Sequence, residues 1–169
     1  DGGTLLYDAF LLYDLNGNRT GKTGTRTGAD GKREGMAVTY RYDRMNRLVC
    51  EDRGGEGERY AYDPAGNRLE REHYWDGTVD GAETYRYNER NELTCRVNRL
   101  TGSAAAYCYD ACGNLLLEEE GGKKKEYGYD ALNRLARVRT ADGRVWENLY
   151  DGEGLRAGTR GDGACTTFL

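Results

Sequence analysis

Isoleucine is absent from this 169-residue chain, and proline and histidine occur once each, as Pro64 and His73. Two phenylalanines, 6 valines and 17 leucines bring the large aliphatic and phenyl residues to 25 of 169, below the roughly 20% that usually accompanies a folded domain. No run approaches the roughly 20 apolar residues that a membrane-spanning helix needs. A single imidazole leaves no second histidine for a zinc site, and Cys108 and Cys112, four apart, lack the company a metal pair requires. Five cysteines, Cys50, Cys95, Cys108, Cys112 and Cys165, are an odd and irregular set that defines no disulfide framework. With 25 basic against 29 acidic residues the chain carries no broad positive field, which disfavours nucleic acid as a partner. A charged fraction of 32% would by itself suggest disorder, but the net charge is only -4.

Tyrosine is what the chain has instead, 14 residues of it, and it recurs in register. Seven copies of Tyr-Asp or Tyr-Asn are followed by Gly or Asn four residues after the Tyr. They are Tyr13-Asp14-Leu15-Asn16-Gly17, Tyr42-Asp43-Arg44-Met45-Asn46, Tyr62-Asp63-Pro64-Ala65-Gly66, Tyr87-Asn88-Glu89-Arg90-Asn91, Tyr109-Asp110-Ala111-Cys112-Gly113, Tyr129-Asp130-Ala131-Leu132-Asn133 and Tyr150-Asp151-Gly152-Glu153-Gly154. Gly and Asn alternate strictly at the last place, and these are the two residues that enter the left-handed backbone region at least cost. Backbone need therefore accounts for the alternation. The leading Asp or Asn accepts bonds from N–H groups inside a type I turn, and such a turn joins antiparallel strands.

Successive motif tyrosines lie 29, 20, 25, 22, 20 and 21 residues apart, the spacing of a repeat architecture. A second turn signal falls between copies: Asp30-Gly31, Gly54-Gly55, Asp76-Gly77 with Asp80-Gly81, Thr101-Gly102, Gly121-Gly122 and Asp142-Gly143. One repeat reads as strand, Tyr-Asp turn, strand, glycine hairpin. In Glu118-Glu119-Glu120-Gly121-Gly122-Lys123-Lys124-Lys125 a two-residue loop places Glu120 opposite Lys123, Glu119 opposite Lys124 and Glu118 opposite Lys125. Tyr-x-Tyr precedes the turn in five copies, at Tyr40/Tyr42, Tyr60/Tyr62, Tyr85/Tyr87, Tyr107/Tyr109 and Tyr127/Tyr129. Residues two apart share a strand face, so these rings are expected to form ladders across neighbouring strands. Tyr7-Asp8 has Leu11 where Gly or Asn should stand and reads as plain strand; the glycine-rich 29-residue gap after Tyr13 reads as a longer, mobile loop.

Tyr62-Asp63-Pro64-Ala65-Gly66-Asn67-Arg68-Leu69 and Tyr129-Asp130-Ala131-Leu132-Asn133-Arg134-Leu135 resemble the two alternating forms of the YD repeat of RHS-repeat proteins, over about residues 11–157. The resemblance implies an all-β fold, an array of antiparallel hairpins forming a curved or spiral sheet. In bacterial RHS polymorphic toxins and toxin-complex C components that sheet is part of a hollow shell around a C-terminal toxin; in teneurins similar repeats serve adhesion. Residues 1–169 are expected to be a single repeat segment of a longer polypeptide, secreted or displayed at the bacterial surface. Its expected partners are the rest of its own shell and a toxin cargo, with surface glycans as an alternative. The Asp-Pro-containing autoprotease core and the toxin that usually follow are not in this sequence, whose only proline is Pro64.

Six motif aspartates suggest paired catalytic carboxylates, yet each has a turn to cap. No Gly-x-Ser-x-Gly elbow or Cys-His couple occurs. The expectation is a non-enzymatic chain without cofactor, metal or catalytic residues, whose important positions are the motif turns themselves. Trp75, beside the Asp76-Gly77 turn, is the residue best placed to meet a ligand such as a sugar ring.

Overall fold

A computed structural model describes residues 7–28, 31–161 and 163–168. They contain no helix; the chain is all β, and it divides into two compact units, residues 1–84 and 85–169. The first unit is an antiparallel meander in chain order of β1 (Tyr7–Tyr13), β2 (Arg19–Thr27), β3 (Arg33–Tyr42), β4 (Leu48–Asp52), β5 (Glu56–Tyr62), β6 (Arg68–Trp75) and β7 (Thr78–Tyr87), the last as far as Thr84. The second is a meander of β8 (Leu93–Asn98), β9 (Ala104–Tyr109), β10 (Leu115–Glu120), β11 (Lys123–Tyr129), β12 (Leu135–Arg139), β13 (Val145–Tyr150), β14 (Arg156–Gly161) and β15 (Ala164–Thr167). Because connections in a meander alternate between the two edges of the sheet, all Tyr-Asp turns of a unit lie on one edge and all glycine hairpins on the other.

The predicted hairpin register is found: Glu118, Glu119 and Glu120 face Lys125, Lys124 and Lys123 across Gly121 and Gly122, both at positive φ (58° and 76°). Its ion pairs differ in one member. Lys124 and Lys125 meet Glu119 and Glu118 at 3.6 and 3.5 Å, whereas both oxygens of Glu120 take Arg96 at 2.9 Å. Arg96 and Glu120 stand on either side of Ala105, which is 1% exposed; the small residue lets the guanidinium reach across a strand.

Two other expectations are corrected. The gap after Tyr13 is occupied by the two long strands β2 and β3 rather than by a loop. Threonines at 20, 23, 25 and 27 favour extended backbone, and the glycines serve close approach: a Cβ on Gly24 would lie 2.0 Å from the Asp8 carbonyl oxygen. The connecting turn is closed by Gly28 N–H donating to Lys32 O at 2.8 Å; Asp30 of the predicted turn pair lies outside the described residues. Of the two signals near residue 78, Asp76-Gly77 makes the turn, while Asp80 and Gly81 lie within β7.

The apolar side chains buried among the described residues are few: Val38, Tyr40, Cys50, Tyr74, Ala82 and Ala105. Part of the missing core volume is replaced by aromatic rings lying flat over cross-strand glycines. Tyr74 faces Gly57, where a Cβ would come within 2.4 Å of its hydroxyl, and Trp146 faces Gly161, where a Cβ would come within 2.5 Å of the indole. The tyrosine ladder takes an unexpected form. Arg19, Arg68, Arg47 and Arg134 lie 4.5, 4.8, 4.9 and 4.3 Å from the ring centres of Tyr40, Tyr60, Tyr62 and Tyr150, so these rings are faced by guanidinium, an attraction strengthened where water is displaced.

Candidate functional site

The Tyr-Asp turns share one geometry. In all seven, the residue after the Tyr donates its N–H to the carbonyl four residues on, as in Asp63 to Asn67 O at 2.9 Å, and its own carbonyl accepts the N–H of the Gly or Asn, as in Gly66 to Asp63 O at 3.1 Å. Every Gly or Asn at that place has positive φ: Gly17 83°, Asn46 58°, Gly66 97°, Asn91 60°, Gly113 87°, Asn133 58° and Gly154 85°. One side-chain oxygen of the Asp or Asn completes the cap by accepting the N–H four residues on, from Asn18, Arg47, Asn67, Glu92, Asn114, Arg134 or Leu155, at 2.8–3.0 Å.

In five copies the side chain of that same residue occupies the second carboxylate oxygen; in the Asp151 copy it is Leu155, whose side chain has no donor to give. Asn18, Asn67 and Asn114 donate Nδ2 at 2.8–2.9 Å, and Arg47 and Arg134 donate Nε at 2.7 Å. In the Asn88 copy the polarity is reversed, with Asn88 Nδ2 donating to Glu92 Oε2 at 2.6 Å, so a Glu stands where an Asp motif would need a donor. These bonds hold the carboxyls of Asp14, Asp63 and Asp110 below the usual range chiefly through the Asn side chain, and those of Asp43 and Asp130 chiefly through the arginine N–H. A carboxylate so engaged is held in its ionised form with both oxygens in hydrogen bonds of its own turn.

The turns are also tied to one another. Within the first unit Asn18 Nδ2 donates to Asn46 Oδ1 at 2.8 Å, and Arg47 Nη1 to the Asp63 carbonyl at 2.6 Å. Within the second, Arg90 Nη2 donates to the Asp110 carbonyl at 3.1 Å and Asn114 Nδ2 to Asn133 Oδ1 at 3.1 Å. Backbone need explains why the place is Gly or Asn; this lateral bonding explains why the two alternate. A Gly-type turn sends an Asn amide forward, and the Asn-type turn that receives it sends an arginine. The Gly-Asn and Asn-Arg pairs were visible in the sequence as the residue after five of the seven motifs, but their partners lie 16–28 residues away.

Each turn is followed by a β-bulge in six copies. Tyr42 faces Leu48 while Arg41 faces Cys50, leaving Val49 extra; Thr20, Leu69, Leu116, Ala136 and Ala157 are the equivalents. A bulge disturbs the ladder locally and leaves groups in need of other partners. The next motif tyrosine supplies one: Tyr42, Tyr62 and Tyr150 donate their phenols to the carbonyls of Arg19, Leu48 and Leu135, just before the bulged residue, at 2.9–3.0 Å.

Away from the turns, Glu58 accepts two bonds from Arg71 at 2.6 and 3.0 Å and one from Tyr60; the arginine keeps its pKa down at about 2, while burial pushes Tyr60 up to about 12. His73 bridges Asp80 and Glu56 and is raised, chiefly by Asp80. Trp75 is 60% exposed and lines a shallow cleft with Arg53, Gly54, Gly55, Glu56 and Asp76. All five cysteines are free, Cys50 buried with its sulfur 3.1 Å from Arg41 Nη2. No group of three or more His, Cys, Asp or Glu that could hold a metal occurs among the described residues.

The profile of the teneurin YD-shell family matches residues 4–157. Over 150 residues the chain is 31% identical to the tRNA3(Ser)-specific nuclease WapA of Bacillus spizizenii, covering 84% of this chain and 6% of that protein. It is equally similar, 31% over 160 residues, to the tRNA nuclease WapA of Bacillus subtilis, covering 89% of this chain and 6% of that one. Among solved structures, the crystal structure of TcdB2-TccC3-Cdc42 superposes with a TM-score of 0.66 at 12% identity, over 87% of this chain and 9% of that one. The chain thus spans a small fraction of the proteins it matches. With the capped turn, the alternation and the hairpin array all present, this chain belongs to the teneurin YD-shell family.

Proposed function

We propose that the chain is a non-enzymatic wall segment of a secreted or surface-displayed bacterial RHS toxin, one of many hairpins that together enclose a C-terminal toxin until delivery. The observation that carries this reading is the engagement of the motif carboxylates: all six Tyr-Asp pairs, the chain's most repeated chemical feature, give one oxygen to their own turn, and five of them give both. The wall acts sterically, through hydrogen-bonded strands, and no single copy is a site. The nuclease named in the WapA relatives is placed by this reading outside the matched repeats.

Two measurements test it. In the full polypeptide that carries this chain, the region C-terminal to the repeats should resist protease until the repeats are unfolded by denaturant; digestion at the rate of the unenclosed region would overturn the enclosure. The purified chain should leave total tRNA uncut, and cleavage by it would overturn the non-enzymatic assignment.

A second reading rests on Trp75, whose exposed ring stands among Arg53, Glu56 and Asp76, an apolar platform with charged groups at its rim that suits a sugar ring. Glycan-array binding that disappears in Trp75→Ala would favour an adhesive role; an array without signal would remove it.

A further inference from the structure

We infer that the open edge of β1 is the seat of one particular kind of neighbour, a Tyr-Asp hairpin whose turn is of the Asn type and carries an arginine. The inference rests on the wall-segment reading and goes beyond it by specifying which repeat fits.

Three of the four Gly-type turns receive an arginine from the Asn-type turn before them. The Asp63 carbonyl takes Gly66 N–H at 3.1 Å and Arg47 Nη1 at 2.6 Å; the Asp110 carbonyl takes Gly113 N–H at 3.2 Å and Arg90 Nη2 at 3.1 Å. At the third, Arg134 stacks on Tyr150, and its Nη1 lies 3.5 Å from where a Cβ on Gly154 would be. The remaining Gly-type turn is the first. Its Asp14 carbonyl holds Gly17 N–H at 3.1 Å and has no second donor among the described residues, so one lone pair of a backbone carbonyl is open where those of Asp63 and Asp110 are filled.

Tyr13 repeats the pattern. Tyr42, Tyr62 and Tyr150 give their phenols to a bulge carbonyl on the preceding strand. Tyr13 is 58% exposed, and its phenol has no hydrogen-bond partner among the described residues. Around it Phe10, Leu11 and Leu12 are 73%, 44% and 57% exposed, on a strand paired on one side, with β2. An apolar strand with a free ladder edge is a template for another strand. The open carbonyl and the unengaged phenol specify that the strand should come with an arginine-bearing turn and a bulge. A Gly-type neighbour would bring an Asn amide in its lateral position, which in this chain is received by an Asn side chain; Gly17 has none.

The probe is the hairpin of residues 33–52, which carries Asn46 and Arg47, made as a peptide with Cys50→Ser and closed by a disulfide between cysteines added at its ends, its hairpin verified by NMR. Titrated against the full chain, it should bind saturably. Arg47→Ala in the peptide and Tyr13→Phe in the chain should each weaken binding about fivefold, the effect of one net hydrogen bond. The similarly closed hairpin of residues 56–75, with its Gly-type turn at Gly66, should bind about tenfold more weakly or worse. Equal binding of the two hairpins, indifference to Tyr13→Phe, or no binding by either verified hairpin would overturn the inference. Protease protection is read on the full polypeptide whatever type of repeat stands beside β1, whereas the hairpin titration asks which type fits, so this proposal and the wall reading can fail separately.

Discussion

The two edges of each unit are made by different means. On the motif edge the chain reverses through a turn whose backbone, side-chain cap, bulge and neighbour contacts are all specified. On the glycine edge it reverses through whatever suffices: Gly54-Gly55, Asp76-Gly77, Gly121-Gly122, an Asn98-capped loop closed by Ser103 O, or Thr140 to Arg144. One edge therefore sets register and spacing, and the other absorbs variation in strand length, which is why motif spacing drifts between 20 and 29 residues while the motif does not.

The contrast is most easily broken by insertion. A Gly-Ser pair placed between Ala111 and Cys112 should cost about 2 kcal/mol or more, since it opens two backbone bonds and the Asp110 cap; the same pair between Gly121 and Gly122 should cost no more than about 0.6 kcal/mol. Urea unfolding of the two variants measures the difference, and equal losses would mean that the edges are not distinct. Next in size, Asp63→Ala should cost about 1 kcal/mol in urea unfolding, because it frees both the Asn67 N–H and its Nδ2.

Acid should weaken both edges, since Asp142 on the glycine edge is held low by Arg144 and Thr140 as the motif aspartates are by their own turns. Carboxyls with lowered folded pKa add stability above their ordinary range and lose it as pH falls. For Glu58 the window runs from its ordinary 4.5 down to about 2, and the motif aspartates shift in the same direction. The thermal midpoint should therefore fall below about pH 4.5, less steeply in Glu58→Gln. His73 works oppositely: its raised pKa adds stability that is full below 6.5 and lost as pH rises through the folded value. The smallest effect is Asn46→Gly, which keeps the left-handed backbone but removes the acceptor for Asn18. A loss of about 0.5–1 kcal/mol is expected, and no loss would leave the alternation without its lateral cause.

The hairpin array was legible because a turn needing a left-handed residue leaves a visible mark at Gly17, Asn46 and their equivalents. The bulges were not, since Val49 or Leu69 reads as ordinary strand and the extra residue shows only when both partners are paired. Glycine misled after Tyr13: Gly21 and Gly24 look like flexibility in one dimension and are close strand contact in two. The Arg96–Glu120 pair was hidden for another reason, as its register depends on how the 98–103 turn closes. Of the motif positions, the Asp capping role was readable from type and spacing, whereas the use of Asn18, Arg47 or Arg90 as links required knowing which turn stands beside which.

The bulge that follows six of the seven turns also bears on solubility. Deleting Val49, Thr20 or their equivalents would leave each flanking pair of residues facing one another as before, so a single-codon loss would be silent in the ladder. It would remove a site of added twist. Many-stranded sheets that lie flat are those that stack into fibres, and a chain with exposed Phe10, Leu11 and Leu12 on an open strand is well supplied with contacts for doing so. The surplus residue after six of the seven turns is thus expected to work against stacking into fibres, in a place where a sequence comparison would score its loss as a mere gap.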